Sequence, residues 1–144
     1  MRFGPGLLGV TLAVLWASQL EAGVPSLRAS LECERVARPG RILCELSLSP
    51  KTGRLVWSDG LVVQAPLFAR PLRSRVVAQL GPSAGSGIAK AKLALVATES
   101  GQGTLELLAR GVVCQDRPAG EWCAAEAVRV TAPVLVGGES PPSP

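Results

Sequence analysis

Residues 104–130 read TLELLARGVVCQDRPAGEWCAAEAVRV. Two alternating runs, Thr104 to Cys114 and Glu121 to Val130, flank Arg117-Pro118-Ala119-Gly120. Pro118 supplies the fixed φ that suits the second position of a type I or II turn. A two-residue turn there pairs Arg117 with Gly120, Asp116 with Glu121, Gln115 with Trp122 and Cys114 with Cys123. The closing pair of such a hairpin is hydrogen-bonded and the pairs alternate, so Cys114 and Cys123 fall on a non-hydrogen-bonded pair. Their Cα atoms then stand about 4.5 Å apart, within disulfide range.

The same period of two recurs upstream, which predicts further strands. Leu27, Ala29, Leu31 and Cys33 share one face of 27–34, and Ile42, Cys44, Leu46 and Leu48 share one face of 41–48. Arg75 to Leu80 and Ala89 to Ala97 alternate again, the latter with Lys90 and Lys92 outward, and Pro133 to Val136 forms a last run. Leu55-Val56-Trp57 and Leu61-Val62-Val63 flank Ser58-Asp59-Gly60, and Asp-Gly between apolar runs predicts a hairpin turn. Pro39-Gly40, Pro50 to Gly53, Gly81 to Gly87 and Ser100 to Gly103 punctuate the rest. No window sustains a helical period. Seven to eight short strands predict an all-β fold, an antiparallel sandwich of immunoglobulin-like topology, over 23–136.

The chain has 144 residues, room for one such domain, and a net charge of +4. Residues 1–22 read as a secretory signal peptide: Arg2, the apolar run Leu7 to Trp16, then a polar stretch to Ala22. Its removal leaves no membrane span, and a retained membrane anchor over the charge-free residues 3–20 is the rival reading. The 137–144 tail, GGESPPSP, is expected to be disordered. Arg is abundant and Lys scarce, and Ala, Gly, Pro and Val are plentiful, which points to a GC-rich bacterial genome and a periplasmic or secreted protein.

Four cysteines in an exported chain imply two disulfides and three possible connectivities. Cys114–Cys123 follows from the hairpin. Cys33–Cys44 is the natural second bridge across a loop at Pro39-Gly40, and a crossed pairing such as Cys33–Cys114 is the rival. Ten and eight intervening residues do not suit a compact zinc site, so no metal and no cofactor is expected.

Histidine and tyrosine are absent, which excludes histidine-based nucleophilic catalysis and histidine-ligated metal. Glu32, Glu34 and Glu45 read as a solvated strand face, since a glycosidase cleft wants aromatic platforms that this chain lacks. Gly85-Ser86-Gly87 with Lys90 lacks the ending of a phosphate-binding loop and reads as a connection. Arg70, Arg73 and Arg75, opposed to Lys90 and Lys92, would make a basic patch for an acidic surface, or equally a solvated edge. Nucleic acid is not expected, because stacking aromatics are missing. Trp57 reads as core, packed against a disulfide. Trp122, out of phase with Cys123, is the best single candidate for contact with an envelope protein.

Arg38-Pro39-Gly40 leading into a strand, and Ala109-Arg110-Gly111-Val112-Val113-Cys114 followed by Cys123, resemble the periplasmic N-terminal domain of the transmembrane thiol:disulfide interchange protein family. The resemblance implies an immunoglobulin-like sandwich whose redox pair, Cys114 and Cys123 here, sits near its C-terminal end. The chain departs from that family in having eight residues between the cysteines, no Pro-Pro after Cys123 and few aromatics. The residues thus favour a non-enzymatic binding or accessory module, with thiol–disulfide exchange through Cys114 and Cys123 as the alternative.

Overall fold

Alternation along nine strands gives two sheets one apolar face each, and those faces meet as the core. The computed structural model describes residues 26–80 and 87–138. The segment expected to be a signal peptide, most of the Gly81–Gly87 loop and all but Gly137 and Gly138 of the tail lie outside them. The strands are β1 (Leu27–Cys33), β2 (Arg41–Pro50), β3 (Arg54–Gln64), β4 (Ala69–Pro71), β5 (Arg75–Val77), β6 (Gln79–Leu80), β7 (Ala89–Ala97), β8 (Gly101–Arg117) and β9 (Gly120–Val136). One sheet runs β1-β2-β7-β4, with β6 also on β7; the other runs β5-β3-β8-β9. Every pairing between these strands is antiparallel. This is the strand order of an immunoglobulin-like sandwich. No helix among the described residues is long and apolar enough to cross a membrane.

The core is aliphatic. Ile42, Leu46 and Leu48 from β2, Leu93 and Leu95 from β7, Leu105 and Leu107 from β8 and Val134 from β9 are all buried. Each removes from water a side chain worth about 1.5–3 kcal/mol when fully buried. Gly60 makes the close contact between sheets possible: a Cβ there would lie 2.5 Å from Leu46 Cδ2. A parallel bridge from Val36 to Val136 ties the chain after β1 to the end of β9.

Four local expectations need correction. Ser58-Asp59-Gly60 does not turn: it lies in the middle of the continuous strand β3. Gly60 serves packing and Asp59 serves an ion cluster. Trp57 is not core but 40% exposed. A bulge between Leu55 and Trp57 shifts the register by one residue, so Leu55 points inward and Trp57 outward. The Arg75 to Leu80 run is not one strand. Its halves, β5 and β6, belong to different sheets. The last two runs fuse into the single seventeen-residue β9, straight through Pro133. Pro133 opposes Thr104, an even number of residues from the Cys114–Cys123 pair, so it too occupies a non-hydrogen-bonded position. Its missing N–H therefore faces the free edge, where proline is tolerated.

Candidate functional site

The two disulfides are Cys33–Cys44 and Cys114–Cys123, each joining directly opposed residues with Cα atoms 4.0 Å apart. The predicted register from Arg117–Gly120 to Cys114–Cys123 is the one observed. The bridges lie on opposite sides of their sheets. Cys33 and Cys44 continue the inward series of Leu31 and Ile42, and Cys44 is buried. Cys114 follows Arg110 and Val112 on the outer face of β8, and Cys123 is exposed. Glu121 Oε1 lies 3.8 Å from Cys123 Sγ, and the other oxygen of that carboxylate, Oε2, is held by Arg54. That negative charge disfavours a thiolate. Cys114, Cys123 and Glu121 are close enough to suggest a metal site, but both sulfurs are spent in the bridge.

The most organised polar cluster lies on the outer face of the four-stranded sheet. Asp59 of β3 is directly opposite Arg110 of β8, and Arg75 of β5 reaches it from the other side. Arg110 Nε donates to Asp59 Oδ1 at 2.8 Å and Arg110 Nη2 to Oδ2 at 2.6 Å. Arg75 Nε donates to Oδ2 at 2.7 Å. The carboxylate is fully buried beneath these guanidiniums, whose own side chains remain 51% (Arg75) and 37% (Arg110) exposed. The Arg110 hydrogen bond, with that of Arg75, holds Asp59 below the usual carboxylate range against the opposing effect of burial. Both guanidiniums also stand over Trp57, at 5.9 Å (Arg75) and 5.7 Å (Arg110) from the ring centroid. Asp59 thus fixes two arginines, and the arginines fix an exposed indole.

Sequence reading missed this cluster. Its signal was Trp57-Ser-Asp59 in a strand-like run: aspartate is depleted in strands, and one inside a strand needs a partner. The partner, Arg110, lies 51 residues away.

The predicted basic patch is divided. Arg70 is on β4, opposite Val96 in the five-stranded sheet, whereas Arg75 belongs to the Asp59 cluster. Lys90 bonds Glu45 at 2.8 Å, which lowers the Glu45 pKa and raises that of Lys90. Arg73 and Lys92 do line a common groove. Glu32 opposes Glu45 on the outer face of the first hairpin, and Glu34 accepts the Leu43 N–H. Trp122 is 47% exposed, with the Arg117 guanidinium 4.3 Å from its ring centroid. By alternation it belongs to the opposite face of the sheet from Trp57, so the two indoles do not form one patch. No protein-family model matches the chain and no curated protein matches it, so the site rests on its own residues.

Proposed function

We propose that the protein is an exported, non-enzymatic β-sandwich that serves as a binding or accessory module of the bacterial envelope, and that it engages a protein partner through the outer face of its four-stranded sheet. The observation that carries this reading is the exposed Trp57 ring held by two arginines that Asp59 anchors. Tryptophan and arginine are the residues that most often dominate binding energy at interfaces, and here both are immobilised before any partner arrives. Val77, also exposed, and Val112 extend the face with apolar area. Two disulfides support an oxidising compartment, in keeping with a periplasmic or secreted location. The test is a photo-crosslinking amino acid at position 77 in cells, with fractionation of the envelope. One discrete adduct that disappears with Trp57→Ala supports the proposal. Adducts that persist unchanged in that variant would overturn it.

The exposure of Cys123 favours a second reading, thiol–disulfide exchange by Cys114 and Cys123, which is also what the family resemblance implies. A glutathione redox titration with thiol trapping separates the two. A potential below about −300 mV marks a structural bridge, and a potential well above it marks an exchangeable one.

A further inference from the structure

We propose that a groove on the five-stranded sheet binds a phosphate group through Arg41, Arg73 and Lys92. The groove arises from the topology. On one side of β7, β4 pairs only with residues 95–97 and β6 only with residues 89–90. Between them the chain crosses to the other sheet at Leu72 to Ser74 and enters β5, and the gap it leaves has a volume of about 250 Å³. The Leu72 N–H donates to the Ala94 carbonyl at 2.9 Å and fixes one wall.

The lining is chemically one-sided. Arg41, Arg73 and Lys92 supply three positive charges, Leu72, Val76 and Leu93 supply apolar surface, and no carboxylate lines the groove. None of the three cations forms an ion pair among the described residues. The nearest acid in register, Glu45 opposite Lys92, is taken by Lys90. Glu45 still feels the charge of Lys92, but Arg41 and Arg73 form no ion pair among the described residues, and an anion in the groove relieves the repulsion among the three cations. Two guanidiniums and one ammonium suit the several oxygens of a phosphate, and the apolar surface suits the carbon skeleton that carries it. The volume holds a phosphate with part of that skeleton. Val76 of β5 lines the groove, but its three cations lie outside the four-stranded sheet that carries Trp57, and the Arg73 and Lys92 variants leave Trp57, Asp59 and Arg110 in place, so the test is independent of the partner-binding reading.

The test uses the purified protein at low ionic strength with two probes. Pyrophosphate binding is followed by 31P NMR, and binding to phosphatidylcholine vesicles containing phosphatidylglycerol by sedimentation. Arg73→Gln and Lys92→Gln should each weaken binding at least tenfold, whereas Lys51→Gln, an equal charge loss at an exposed turn, should leave it unchanged. Binding to both probes identifies a soluble phosphate ester as the ligand, and binding to vesicles alone identifies a lipid headgroup. No binding to either probe, or equal losses in all three variants, overturns the proposal. Circular dichroism of each variant separates loss of the groove from loss of the fold.

Discussion

The Cys33–Cys44 and Cys114–Cys123 hairpins are built alike: adjacent antiparallel strands, a bridge between directly opposed residues and the same Cα separation of 4.0 Å. They differ in the face the bridge occupies. The first lies on the inner side, in line with Leu31 and Ile42, where its sulfurs belong to the packing. The second lies on the outer side, with Cys123 open to solvent and a carboxylate beside it. One local motif therefore does two jobs. Inside, it is core as well as crosslink. Outside, it is a crosslink on a surface that also carries the Asp59 cluster.

Removing each bridge tests that difference. Cys33→Ala with Cys44→Ala should show the largest effect, about 3–4 kcal/mol in urea unfolding, because lost chain constraint and lost packing add. Cys114→Ala with Cys123→Ala should cost less, about 2 kcal/mol and mostly chain constraint, because Cys114 is buried but lies outside the core cluster and Cys123 is exposed. Equal losses would break the comparison. Thiol trapping during graded reduction sharpens it further: Cys114 and Cys123 should open first and Cys33 and Cys44 last.

The outer face has a second fastening. Asp59→Asn should cost about 2 kcal/mol at pH 7, the scale of hydrogen bonds to a charged group. The folded pKa of Asp59 is depressed, so its contribution is complete above the unfolded carboxylate value near 3.9 and is lost as pH falls through the lower folded value. The gap between wild type and variant should therefore narrow in acid, as unfolding at pH 7 and pH 3 would show. The smallest effect belongs to the inner side. Ser58 Oγ is the one buried side-chain polar atom without a hydrogen-bond partner among the described residues. Ser58→Ala should be neutral or stabilising by up to about 1 kcal/mol, since it removes a desolvated hydroxyl. A clear loss of melting temperature would mean that this hydroxyl is satisfied by water.

What was legible in the sequence was local. Pro118 and the alternation on either side of it gave the β8–β9 register residue for residue, because a two-residue turn leaves no freedom in pairing. The inward series of β1, β2 and β7 were equally plain. The candidate site was not, because each of its parts depends on a distant one. Asp59-Gly60 has turn chemistry until Arg110 and Leu46 are brought against it. Trp57 shares a face with Leu55 by counting, and a single bulged residue reverses that. The arginines at 70, 73 and 75 look like one patch, but the chain changes sheet between β4 and β5 and again before β6, and a charge pattern carries no record of such crossings.

The bridge from Val36 to Val136 also has a temporal meaning. A chain that emerges N-terminus first can pair β1 with β2 and oxidise Cys33 and Cys44 early, since only that hairpin is needed. The sandwich itself must wait, because Val130, Ala132, Val134 and Val136 supply core from the last strand. During that interval the inner faces of β2 and β7 stay open to water and to other chains. The early crosslink would hold the first hairpin in register through the delay, when a protein whose final strand arrives late has most need of protection from other chains.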